Sequence, residues 1–302
     1  IVGIWYWCTD QCIVQRTLTA KDETNARRGT IFAAYFKLFP FFIFLIPGII
    51  AVALAAQGKL VITDPNKVFP TMVGALLPIG VRGIVAGGLL AALMSSLAAV
   101  FNGCSTLFTM DIYQKIKPQA SQKELVRTGR IATLVVVALG IVWIPIMKNL
   151  SGSLYEYLQN VQAFIAPPIT AVFLLGIFWN RINSKGALSA LIAGFILGMI
   201  KLLLESVAKG ASGFLGALAN FNFLYYAPLL FAFCVLLMVV ISLLSKAPSE
   251  EKLKGLTFAS LTPEDRKASR ASWNKWDVIN TVIILSIIVF VMIYFSPLGV
   301  AR

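Results

Sequence analysis

Four groups of side chains stand out against the apolar stretches that hold them. Lys37 follows "IFAAYF" and precedes "LFPFFIFL". Gln159, with Gln162 about one turn on, sits in "EYLQNVQAF". Ser95 and Ser96 lie in "ALMSSLAAV", three and four residues after Ala92. Tyr6 and Trp7 lie in "GIWYWCTDQC". An ammonium donates hydrogen bonds and an amide both donates and accepts them, so Lys37 and Gln159 suit a hydroxyl-rich ligand. Paired hydroxyls beside a close-packed backbone offer neutral oxygens, which suit a small hard cation such as Na+. A flat aromatic face can close a pocket over a sugar ring, whose axial C–H groups are apolar.

Each group also has a plainer reading. Lys37 lies about seven residues into its apolar run, roughly 10 Å from the inner end, and could snorkel to the interface. Gln159 suits interhelical hydrogen bonding equally well. A Ser hydroxyl in a helix normally bonds back to the carbonyl four residues earlier. Tyr and Trp populate the interfacial belts of any membrane protein. Against the belt, basic residues begin only at Arg16, which puts Tyr6 and Trp7 nearer mid-membrane. Cys8, Cys12, Cys104 and Cys234 read as small buried thiols, and a chain with no His is a poor candidate for a zinc site.

The elements that must position these groups follow from composition. The 302 residues are 58% hydrophobic and 13% charged, where a soluble domain carries about 25% charged residues. Apolar runs at 30–56, 83–110, 129–147, 160–179, 186–206, 222–245 and 276–298 are each long enough to span a bilayer. Residues 1–14 form a further, shortened one. All must be helical, because lipid satisfies no open sheet edge. The net charge of +13 does not point to nucleic acid. Most Lys and Arg fall in alternate loops: 16–28, 115–130, 181–185 and 246–275. That is the positive-inside pattern, and it assigns those loops to the cytoplasm.

Pro40 and Pro47 should bend the span at 30–56, and "APP" at 166–168 should bend or open another. "VFPTMVGALLP" reads as a short helix over the outer face. The many small residues of 83–110 predict a helix in the middle of a bundle. The last three spans are rich in Leu, Ile and Val with few polar groups and read as lipid-facing. The basic stretch 245–276 is the one long hydrophilic segment, expected to be partly disordered.

"WYWCTDQCIVQRTL" (5–18), "MSSLAAVFN" with "STLFTMDIY" (94–113), "APPITAVFLLGIFW" (166–179) and "GIFWNRINSKGALSALIAGFI" (176–196) resemble the sodium/solute symporter family, in its sodium–glucose cotransporter branch. The resemblance implies an all-α membrane protein with a LeuT-type core of two inverted five-helix repeats. Residues 1–179 would be the second repeat, entered within its first helix, and 180–302 three peripheral transmembrane helices with a basic cytoplasmic loop at 245–276. The first repeat would be needed for a complete site. Tyr6 then resembles the aromatic gate on the sugar, with Trp7 beside it, and Lys37 and Gln159 resemble sugar-binding residues. Ala92 (carbonyl), Ser95 and Ser96 resemble half of a Na+ site. Two positions depart from the pattern. Gly3 stands where some relatives place a polar side chain against the sugar. Ala98 and Ala99 stand where relatives coupling two Na+ carry hydroxyls, which implies one Na+ per sugar.

The implied activity is sodium-coupled sugar symport across the plasma membrane by alternating access. It needs no covalent chemistry and no organic cofactor. The alternatives are a sodium symporter of myo-inositol, an amino acid or a carboxylate, a membrane sensor with this fold, or a truncated fragment without transport.

Overall fold

The computed structural model describes residues 1–148, 153–208 and 212–299. Among them the chain is helical and contains no strand. In chain order the helices are α1 (Val2–Cys8), α2 (Gln11–Leu18), α3 (Glu23–Phe36), α4 (Ile46–Ala56), α5 (Val68–Leu76), α6 (Ile79–Thr106), α7 (Gln114–Ile116), α8 (Gln122–Lys148), α9 (Leu154–Phe178), α10 (Ser184–Ala208), α11 (Phe214–Asn220), α12 (Phe223–Leu244), α13 (Glu250–Leu253), α14 (Pro263–Ala271) and α15 (Lys275–Tyr294). Seven helical segments among the described residues are long and apolar enough to cross a membrane. They match the seven apolar runs, but their ends differ because caps, not apolarity, set them. The Asp22 carboxylate accepts from the Asn25 amide at 2.7 Å and starts α3 seven residues before the apolar run.

The chain forms two compact units, residues 1–38 with 155–302, and residues 39–154. In the first, α9, α10 and α12 make the buried core around Phe164, Ala171, Ala190, Cys234 and Met238. Gly194 and Gly198 lie four apart on one face of α10 and let its neighbours approach closely. A Cβ on Gly194 would lie 2.5 Å from Pro168 Cβ and 2.7 Å from Cys234 Sγ; one on Gly198 would lie 2.5 Å from the Phe164 carbonyl oxygen. Pro168, buried within α9 beside Pro167, therefore rests on Gly194. At the far end Asn183 ties α10 to the end of α12. Its Nδ2 donates to Ser245 Oγ at 2.6 Å and to the Lys246 carbonyl at 3.0 Å.

The last spans are less purely apolar in their contacts than the sequence suggests. Helix α15 docks on α3 through polar groups: Tyr35 donates to Asn280 Oδ1 at 2.8 Å, and Arg28 lies 3.7 Å from the buried Asp277. Helix α10 buries Lys201 and carries Glu205, two ionisable residues that the apolar run conceals. The stretch 245–276, expected to be partly disordered, takes local structure. A capping box between Thr262 and Asp265 starts α14, and Phe258 stacks on Phe178 with ring centroids 5.0 Å apart.

In the second unit, α6 continues through a π-helical turn (Leu107–Tyr113) and packs on α8. Ser105 donates to the Gly129 carbonyl at 2.8 Å. Helix α5 is the expected short helix. The small-residue face of α6 is not covered within this unit. Added Cβ atoms on Gly83, Gly87 and Gly88 would meet nothing within 4 Å. Small residues permit a close neighbour but do not supply one.

Gly198→Ala is expected to destabilise the protein by about 1–3 kcal/mol through overpacking. A lowered melting temperature in detergent checks this, with Gly176→Ala, whose added Cβ meets open space, as the unaffected control.

Candidate functional site

The opening segment is two helices, not one shortened span. Thr9 closes α1: its amide and hydroxyl both donate to the Trp5 carbonyl, at 3.0 and 2.7 Å. Asp10 then leaves the helical region (φ −70°, ψ 123°) and caps α2. Its Oδ1 accepts from the Cys12 and Ile13 amides at 2.9 and 3.3 Å. The polar residues Thr9 and Asp10 thus satisfy the backbone groups that a break in a membrane helix exposes.

Immediately before the break, Tyr6 and Trp7 stand edge to face, 5.3 Å apart at 89°. The Lys37 ammonium lies 5.3 Å from the centroid of each ring. Lys37 is the C-cap of the 14-residue α3, so it sits about 21 Å from the start of that helix at 1.5 Å per residue. The sequence reading of roughly 10 Å took the helix to begin where the apolar run begins. The ammonium has turned to two aromatic faces, each worth about 0.5–1 kcal/mol at an exposed site. Among the described residues its N–H groups have no hydrogen-bond acceptor.

Gln159 lies in the second turn of α9 and donates from Nε2 to the Tyr155 hydroxyl at 2.8 Å. With Gly3, Tyr155, Ala163, Phe223 and Ala227 it lines a cavity of about 460 Å³, within the range of small-molecule sites. Gly3 is one helical turn from Trp7. Helix α1 therefore carries both features. Gly3 looks onto the cavity with Gln159, and Tyr6 and Trp7 hold Lys37. The absent side chain at Gly3 leaves room there, since a Cβ would meet nothing within 4 Å.

Ala92, Ser95 and Ser96 are exposed along α6. Thr9, Thr30, Thr133, Thr170 and Ser189 each donate to the carbonyl four residues earlier. The Ser95 and Ser96 hydroxyls make no hydrogen bond among the described residues. The plain reading of a back-bonded serine therefore fails at this pair, and two neutral oxygens stay available in an apolar helix. This donor set fits a hard monovalent cation.

Lys201 and Glu205 are the polar residues that sequence reasoning missed. Their signal was legible: the two ionisable residues of one apolar run, four apart, on one helix face.

Seven spans define a multi-pass integral membrane protein, with a broken helix beside an aromatic and cationic cluster and a cavity of small-molecule size. The family model described as sodium:solute symporter matches residues 1–194, and the chain belongs to that family. It is 39% identical to sodium/glucose cotransporter 4 of Danio rerio, over 91% of this chain and 45% of the relative. It is 38% identical to sodium/myo-inositol cotransporter 2 of Oryctolagus cuniculus, over 89% of this chain and 43% of the relative. A sodium/mannose cotransporter of Bos taurus is 36% identical over 98% of this chain and 54% of its own length. The chain thus spans about half the length of the curated relatives it matches.

Asp10→Ala is expected to cost about 0.5–2 kcal/mol by uncapping α2, whereas Asp10→Asn keeps an acceptor and most of the stability. Melting temperatures of the two variants check this.

Proposed function

We propose that this chain is part of a sodium-coupled symporter that takes up a sugar or closely related polyol across the plasma membrane. Residues 1–179 form the second repeat of a LeuT-type core and 180–302 its peripheral helices. The open small-residue face of α6 receives the first repeat, which completes the site. The observation that carries the substrate reading is the Lys37 ammonium, held over Tyr6 and Trp7 with its N–H groups free of acceptors among the described residues. One turn back along α1, Gly3 lines a cavity of about 460 Å³ together with Gln159. An ammonium, an amide and two aromatic faces match a ring whose rim is hydroxyl and whose faces are C–H. The substrate names of the relatives (glucose, mannose, myo-inositol) all fit that chemistry.

The cation is cargo, held by the Ala92 carbonyl and the Ser95 and Ser96 hydroxyls together with groups from the first repeat. It binds the outward-open state better than the inward-open one, since equal affinity could shift nothing. Each charge moved inward at −100 mV supplies about 2.3 kcal/mol. Sugar binds next, the bundle rocks, Tyr6 moves aside, and both leave to the cytoplasm. Ala98 and Ala99 offer no further hydroxyls, so one Na+ moves per sugar.

Transport by the full-length polypeptide in proteoliposomes tests this. Lys37→Ala and Gln159→Ala should each raise the sugar KM about tenfold or more, a loss of about 1.4 kcal/mol. Ser95→Ala with Ser96→Ala should raise the half-saturating Na+ concentration by a similar factor. Competition among glucose, mannose and myo-inositol ranks the substrates. A flux ratio near two Na+ per sugar, or variants with unchanged constants, contradicts the reading.

A further inference from the structure

We propose that the buried Lys201–Glu205 pair, acting through Asn160, is a positioning device that aims Gln159 at the cavity; this deepens the sugar reading and rests on it. The Lys201 side chain is 2% exposed inside an apolar span. A charge there persists only with partners, so its partners fix the local structure. The ammonium donates to Glu205 Oε1 at 3.1 Å and to the Ala219 carbonyl at 2.9 Å. That carbonyl is in the last turn of α11, where no helical amide is left to bond it. The ammonium also lies 5.6 Å from the Phe164 ring and 5.9 Å from the Tyr226 ring. One cation thereby touches α9, α10, α11 and α12.

The second carboxylate oxygen reaches α9, where Asn160 Nδ2 donates to Glu205 Oε2 at 3.3 Å. Asn160 is buried, and its Oδ1 has no hydrogen-bond partner among the described residues. An apolar residue of similar size would avoid that orphan acceptor, so filling space does not account for the amide. What the amide–carboxylate bond does supply is direction. Residues four apart share a helix face. Asn160 and Phe164 therefore form one face of α9, held by Glu205 and Lys201. Gln159 and Ala163 form the adjacent face, and both line the cavity. Holding the first face sets the rotation of the second.

The test uses the full-length polypeptide in proteoliposomes, with glucose as the probe sugar. Asn160→Leu should raise the sugar KM about fivefold, leaving the maximal rate per surface transporter and the half-saturating Na+ concentration unchanged. Paired removal of both charges, Lys201→Met with Glu205→Met, leaves neither charge unpaired and should do the same. Lys201→Arg should keep the wild-type KM. In a Gln159→Ala background the Asn160→Leu effect should vanish, because the two act as one unit. Independently of transport, Asn160→Leu should change severalfold the rate at which a water-soluble thiol reagent labels Gln159→Cys. An unchanged KM and labelling rate in Asn160→Leu would overturn the proposal. So would an equal KM effect with and without Gln159, or a loss of folded protein with a normal KM in the surviving fraction. Gln159→Ala that leaves the sugar KM unchanged would instead reject the sugar role of Gln159 itself.

Discussion

Hydrocarbon contains no water, so a polar group in a membrane helix must find its partner in protein or in cargo. That constraint sorts the polar residues of this chain. Asp10 meets it with two backbone amides. Lys201 meets it fully, with a carboxylate, a carbonyl and two rings. Lys37 meets it only in part, through two aromatic faces that leave its donors unused among the described residues. The serine pair on α6 does not meet it among the described residues. Satisfied groups build the scaffold, and in the proposed reading the unsatisfied ones receive a hydroxyl-rich solute and a cation.

The same constraint explains why the backbone breaks where it does. A break frees amides and carbonyls, so it survives only where side chains reclaim them. Thr9 and Asp10 do this between α1 and α2, two and three residues beyond the aromatic pair. Pro167 and Pro168 sit instead in a buried part of α9, with Pro168 against Gly194 of α10. Packing on one side of α9 and a cavity on the other hold the helix firm in register while Gln159 and Ala163 stay on the cavity wall.

Much of the fold was legible because apolar runs of bilayer length leave few alternatives. The seven spans were read correctly from apolarity, but their ends were not. Asp22, a capping residue in a polar loop, extends α3 backwards and moves Lys37 much deeper along its helix than the apolar run implied. The candidate site residues were legible as types, ammonium, amide, hydroxyl and ring, and the roles proposed for them came from motif resemblance. The placement of Lys37 and Gln159 along α1 was not, because it depends on how α3 and α9 meet that helix. Lys201 and Glu205 were lost inside a Leu-rich run whose average apolarity hid them. The stripe of small residues on α6 predicted a central position, but such residues only permit packing, and the described residues of that unit leave the stripe open.

Sugar accumulation by the full-length polypeptide in liposomes, with an inward Na+ gradient and with choline in place of Na+, tests cation coupling most directly. Accumulation above the external concentration in Na+, falling to simple equilibration in choline, is the predicted result. Equal accumulation in both media would contradict a cation held by the α6 hydroxyls as the driving partner.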